Sequence, residues 1–279
     1  VAFTHRAMYG NFLIENKFAG TNEGRINPEN FYLTLEDQNK ITAFLEERKD
    51  QIVARVRFLP VTGTVTNGKN SFIFIAMGHD VPEGELVRRP NWSWDTLYGQ
   101  PLHAVEDKNA VVLGQALGYL VGCVPDHPDT NMVQNNGYVA EVRPFTCDNF
   151  SLQLATTTLS GQVNALDLNV VGLIDGGYKD IDQRWMKMNL ETAQTLLNTD
   201  KIRFQSVLLK DENQIDPFIK EMNSYFESEK LPLTAMRWME HSLANLLKQT
   251  KSLLRVFHIF IVLIILYFVF QIICIFLIK

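Results

Sequence analysis

Short catalytic signatures are missing from this sequence. It contains no G-x-S-x-G turn, no C-x-x-C, no H-x-x-x-H and no H-E-x-x-H. An activated nucleophile or a histidine-based metal centre therefore has no support in its spacing. Cysteine is scarce, with three in 279 residues. No five-residue run of one charge sign and no low-complexity tract occurs, which excludes an extensively disordered chain. The formal charge of −5 lacks the basic excess of a nucleic-acid binder. No short-period repeat is present either. What remains is 46% hydrophobic and 20% charged, an ordinary globular composition long enough for one large domain or two modest ones.

The acidic stretches carry little chemistry. Asp126 and Asp129 flank His127 in a polar loop, and DGGYKDID (175–182) lacks the spaced ligands and terminal Glu of a calcium loop. No catalytic, metal-binding or cofactor-binding residue is assigned. The chain is read as a non-enzyme that carries no cofactor.

One stretch comes close to a nucleotide motif. GTVTNGKN (63–70) places Gly63, Gly68 and Lys69 at the fixed positions of a phosphate loop, with Asn70 where Ser or Thr belongs. A phosphate loop must open a helix, whose first amides hold the phosphates. SFIFIAMG (71–78) has no helical period. Asn67-Gly68 between two β-rich runs instead predicts a hairpin with a type I′ turn.

The rest of the chain reads as α+β. Thr34 and Asp37 start a helix over LEDQNKITAFLEERKDQ with a capping-box pattern. Alternation in IVARVRFLP predicts a strand, and residues 80–108 read as irregular. AVVLGQALGYLVG (110–122) is expected to be a short strand that turns at Gly114 into a short helix. Strands follow at SLQLATTT, NALDLNVVGLI and RWMKMNL. ETAQTLLN reads as a helix, IRFQSVLLK as a strand, and NQIDPFIKEMNSYFESE as an amphipathic helix.

The C-terminal end departs from globular pattern. Residues 256–278 hold twenty-three positions without a formal charge, preceded by Lys248, Lys251 and Arg255. That length predicts a transmembrane helix. Met236, Met239, Leu243, Leu246 and Leu253 recur at helical spacing before it. One helix over 234–278, roughly 65 Å long at 1.5 Å per residue, would join a stalk to the membrane. The start at Val1 and the stop just past the apolar segment suggest a processed chain or a piece of a longer one.

Cys123 and Cys147 stand apart from the third cysteine, Cys274, which lies in the apolar segment. Outside the cytoplasm they would close a loop of about 25 residues, worth roughly 3 kcal/mol on the chain-entropy argument. The alternative is two reduced, unrelated cysteines. The loop tip carries Met132, Val133 and Tyr138, apolar side chains suited to a partner contact.

Three features resemble one family. VVLGQALGYLVG (111–122) resembles its "v-LG-LA-L" turn, with Gly118 in place of a small Ala. NVVGLIDGGYKDIDQRWMKMNLETAQTLLN (169–198) resembles "VVGI-G-D-v-L-aQ-Ll", with Gly172, Gly177, Asp182, Leu190, Gln194 and Leu197 at matching positions. The third feature is an amphipathic helix that runs into a membrane span. Together they are similar to the MacB-like periplasmic core domain of ABC transporter permeases in the FtsX-like family. Gly114, Gly172, Gly177, Asp182 and Gln194 are matched as structural positions. The resemblance implies a two-lobed periplasmic domain, with a membrane-proximal α/β lobe (1–59 and 186–233) and an inserted β-rich lobe (60–185). A stalk helix (234–255) and a transmembrane helix (256–278) would follow, at the bacterial inner membrane. It also implies a cytoplasmic ABC ATPase as partner, a second permease copy or related half in a dimer, and a periplasmic adaptor or carrier protein. The competing classes are a single-pass sensor or ligand-binding receptor and, with least support, a membrane-anchored enzyme.

Overall fold

In chain order the strands are β1 (Phe12–Asn16), β2 (Ile52–Thr66), β3 (Ser71–His79), β4 (Tyr98–Gly99), β5 (Ala110–Gly114) and β6 (Cys123–Pro125). They continue as β7 (Phe145–Cys147), β8 (Ser151–Thr157), β9 (Val163–Ile174), β10 (Trp185–Asn189), β11 (Phe204–Leu209) and β12 (Leu233–Arg237). The structure is a computed structural model and describes residues 10–89, 95–126, 143–176 and 179–241, with 260, 261 and 264. The fold is mixed α+β. Residues 1–236 form one compact unit and 237–279 a second.

Ten strands share one sheet, in the order β12-β1-β11-β2-β3-β10-β5-β9-β4, and β8 pairs with both β2 and β9. That double pairing closes a ring: β2, β3, β10, β5, β9, β8 and back to β2. Closure leaves every strand of the ring with neighbours and removes most of the exposed edge. β11, β1 and β12 extend from β2 as an open wing.

Strand alternation decides what fills the ring. Val61 and Val65 of β2, Phe74 and Ala76 of β3, Val111 and Leu113 of β5 are buried. So are Leu152 and Leu154 of β8, Leu168 and Val170 of β9, and Met186 and Met188 of β10. The helix Gln115–Leu120 adds Leu117, and the helix Leu190–Leu197 adds Leu190, Ala193, Leu196 and Leu197 to this core. The wing buries Phe12, Ile14 and Val207 under the helices Leu35–Glu46 and Ile215–Ser228. Phe218 lies 5.5 Å from Phe12 and 6.0 Å from Phe44, ring centre to ring centre. Ring and wing interiors belong to one continuous hydrophobic cluster, because β2 passes through both.

β2 is fifteen residues long and crosses residue 60 without a break. The boundary expected there between the two lobes thus falls inside a strand. The capping box at Thr34 is present, with Thr34 N–H donating to Asp37 Oδ2 and Asp37 N–H to Thr34 Oγ1.

Two expectations need correction. Residues 81–88 form a helix, not an irregular segment, with Pro82 in its first turn, where a missing N–H costs nothing. The stalk helix does not begin at 234. Leu233 and Ala235 are buried in alternation, and residues 233–237 are an edge strand followed by a short 3-10 turn, Trp238–Glu240. Asn223 holds that strand: its Nδ2 donates to Ala235 O (2.9 Å) and its Oδ1 accepts from Ala235 N–H (2.8 Å). The rest of the expected stalk, 242–255, lies outside the described residues. So does most of 256–278, of which Phe260, Ile261 and Ile264 are helical and exposed. Among the described residues no helix is long and apolar enough to cross a membrane.

Candidate functional site

The hairpin at Asn67-Gly68 joins β2 to β3 as its sequence implies, but its turn works differently. Only Gly68 has positive φ, +86°, so the turn is not type I′. Asn67 replaces the second left-handed residue with its side chain. Its Oδ1 accepts from Lys69 N–H (3.0 Å) and Asn70 N–H (2.9 Å), a side-chain mimic of a backbone turn. Its Nδ2 donates to Val121 O at 2.9 Å. The hairpin tip is thereby pinned to the end of the helix Gln115–Leu120, a link that the local motif does not announce. Lys69, the residue that mimicked a phosphate-loop lysine, is exposed beside Asp148 at 3.5 Å.

Immediately after that helix the chain enters β6. Cys123 and Cys147 face each other across the β6–β7 ribbon and are joined by a disulfide, 24 residues apart in sequence. Asp148 N–H donates to Gly122 O at 3.0 Å, which ties the ribbon's far end back to the helix. Tyr119, Leu120, Val124 and Phe150 present exposed apolar surface on these same elements. The ribbon forms the base of the segment between 126 and 143. Met132, Val133 and Tyr138 of its tip lie outside the described residues.

Three of the family-matched positions, Gly114, Gly172 and Asp182, support the same pole. Gly114 ends β5, and a Cβ there would sit 2.2 Å from the carbonyl oxygen of Asp182. The buried Asp182 carboxylate accepts from Ala116 N–H at 2.6 Å and from Gly176 N–H at 2.7 Å. One side chain thus clasps the start of the helix Gln115–Leu120 to the end of β9. Gly172 lies in β9 where the β5 register shifts, with Gln100 O approaching closely. Gln194 lies at the ring's other end, where Nε2 donates to Asp200 O (3.0 Å) and Lys201 O (3.4 Å). Gly177 is outside the described residues.

The opposite pole holds the first and last strands of this unit, β1 and β12. Phe12 pairs with Val207, and Val207 with Arg55 near the start of β2. Lys17 N–H donates to Pro232 O (2.9 Å), so β12 begins beside the end of β1 and finishes beside its start. The first and last strands of the unit therefore lie side by side. From Arg55 to Asn67, β2 carries twelve residues toward the disulfide pole, roughly 40 Å of extended strand.

A buried ionic cluster, which sequence spacing did not reveal, lies between these poles. Asp95 accepts from Lys187 at 2.5 Å and from Arg88, and His79 lies beside them at the end of β3. Burial, reinforced by Arg88 and Lys187, lowers the pKa of His79 to about 3, so the ring is neutral at neutral pH. Burial alone would raise Asp95, but Lys187 and Arg88 outweigh it and hold the carboxyl at about 2. Burial lowers Lys187, against the pull of Asp95. The members lie 7 to 108 residues apart and form no motif. Their arrangement fastens the segment after residue 94 and the helix Val81–Arg88 to β10. No group of three or more side chains able to hold a metal occurs among the described residues.

No family model and no curated protein matches the chain. Solved structures do. The extracellular domain of a noncanonic ABC-type transporter, YknZ, from Gram-positive bacteria aligns at 14% identity over 81% of this chain and 100% of its own, with a TM-score of 0.48. The periplasmic region of MacB from Actinobacillus actinomycetemcomitans aligns at 14% identity over 89% and 95%, with a TM-score of 0.47. A domain of a putative permease protein from Porphyromonas gingivalis aligns at 10% identity over 72% and 82%, with a TM-score of 0.39.

Proposed function

We propose that this chain is the extracytoplasmic domain of an ABC transporter permease, anchored at the inner membrane through residues 256–278. It would couple ATP hydrolysis by a separate cytoplasmic ATPase to export or release of a substrate. The observation that carries the reading is polar: the first and last strands, β1 and β12, lie together at one end, and the disulfide-joined ribbon β6–β7 lies at the other, with the continuous strand β2 between them. A rigid body with that layout converts displacement of its membrane-side end into displacement of its loop. The domain itself performs no bond chemistry in this reading. Working as a dimer and contacting an adaptor or carrier through Met132, Val133 and Tyr138 belong to the same proposal.

The test is reconstitution of the full-length protein in liposomes with the ABC ATPase encoded beside it. The permease should raise ATP turnover, and deletion of residues 127–142 should abolish substrate movement while the ATPase remains stimulated. A protein that neither binds nor stimulates an ABC ATPase, and instead carries a signalling module beyond the apolar segment, would contradict the reading.

A further inference from the structure

We infer that the outer face of the ring across β10, β3, β2, β8 and β9 is where a second copy of this chain docks, an inference that rests on the dimer proposed above. Strand register lays two rows of outward side chains over this face. The first runs from Trp185 of β10 to Ile75 of β3 and Thr62 of β2, and ends with Thr157 of β8 beside Val163 of β9. The second holds Ile73, Thr64, Ala155 and Ala165. Val163 is 81% exposed, Ile73 60% and Ile75 39%. Thr62, Thr64, Ile73, Ala155, Thr157 and Val163 also line one open hollow of about 510 Å³, so the rows form a single surface.

All nine side chains are uncharged. Five strands about 4.8 Å apart and two rows about 7 Å deep give a face of roughly 300 Å². That is the size of patch that often carries function on a monomer. A standard stable interface buries about 800 Å² per partner, so this face supplies a weak contact, suited to copies already held in one membrane assembly.

Charge placement selects a second copy as the occupant. In a two-fold pairing the same patch meets itself, so a charge near its centre would repel its own counterpart. A neutral centre is what that pairing requires, and it offers nothing to a charged partner. Charges begin at the margins and have opposite sign: Arg184 is exposed beside Trp185 on the β10 side, and Asp167 is exposed on the β9 side. β2 is the middle strand of the five. A two-fold axis parallel to it lays each copy's β10 margin over the other's β9 margin, and Arg184 and Asp167 then attract at both ends. The same axis leaves Thr64 near the centre and sets Ile73 opposite Ala155 of the second copy.

The test is crosslinking of the full-length protein in native membranes, with Cys274→Ser and a bis-maleimide that spans the roughly 10 Å between facing sheets. Thr64→Cys should join two copies of the protein, and Lys40→Cys on the wing helix Leu35–Glu46 should not. Ile73→Glu changes an exposed position, so the purified protein should keep its thermal midpoint while the Thr64→Cys crosslink is lost. Adding Ala155→Lys should restore the crosslink, because each new charge then meets its opposite across the axis. Co-purification of two differently tagged copies separates this inference from the reading on which it rests. Copies that co-purify while Thr64→Cys stays uncrosslinked, or joins a different protein, would overturn the face and leave the dimer standing. Equal crosslinking at Lys40→Cys would do the same. Absence of co-purification would overturn both.

Discussion

The ring and the wing are built from the same sheet but stabilised by different means. In the wing, two amphipathic helices cover an open three-strand extension, and aromatic packing of Phe12, Phe44 and Phe218 fills the space between them. The ring closes on itself through β8 and needs helices only at its ends. Its accessory devices are specific polar clasps: Asn67 on Val121, Asp182 on Ala116 and Gly176, and the Cys123–Cys147 bond. The helix-covered wing holds the first and last strands, β1 and β12, and the ring carries the disulfide-joined ribbon β6–β7 at its far end. β2 runs through both, and their interiors form one hydrophobic cluster.

That unity can be broken by experiment. Phe218→Ala in the wing and Leu154→Ala in the ring should each cost about 2 to 5 kcal/mol, and each should shift one shared unfolding transition in calorimetry. Two transitions, with each variant moving only its own, would show two independent lobes. The next effect is pH dependence at the junction, where His79 stacks 6.1 Å from Phe58. His79 is depressed in the folded state, so its neutral form contributes stability that is present above about pH 6.5 and lost as pH falls toward 3. Asp95, also depressed, adds loss only below its ordinary range near 4. Urea midpoints should therefore fall between pH 6.5 and 4 in the native protein, and His79→Gln should flatten that part of the profile.

Smaller effects separate the regions further. Cys123→Ser with Cys147→Ser should cost about 3 kcal/mol, read from chemical unfolding, and should leave backbone amide shifts of the wing in place. Thr34→Ala, which removes the wing's helix cap, should cost about 1 kcal/mol and leave the ring's shifts unchanged. A spread of either perturbation across the whole unit would blur the distinction between ring and wing.

What could be read in the sequence were the local features. The Asn67-Gly68 hairpin, the strand turning at Gly114 into a helix and the capping box at Thr34 are each written in a few adjacent residues. Ring closure is not, because β8 reaches β2 across some ninety residues of chain and β-pairing leaves no local period for such a contact. The helix Val81–Arg88 is short, and its Pro82 and Gly84 mimic a loop; Gly84 serves the close approach of the His79 ring. At 233–237 the spacing of Met236 and Met239 fits a helix, yet alternate burial of Leu233 and Ala235 on the sheet edge prevails. The ionic cluster of His79, Arg88, Asp95 and Lys187 assembles only in three dimensions.

The most direct test uses spin labels at Lys69, on the hairpin tip, and Lys210, at the end of β11, with Cys274→Ser to remove the free thiol and with the reconstituted transporter cycling between ATP and ADP. A rigid coupling body keeps the Lys69–Lys210 distance within one chain constant, while the Lys69–Lys69 distance between two copies changes with nucleotide. A change confined within the chain, with no nucleotide-dependent movement between copies, would contradict mechanical transmission by this domain.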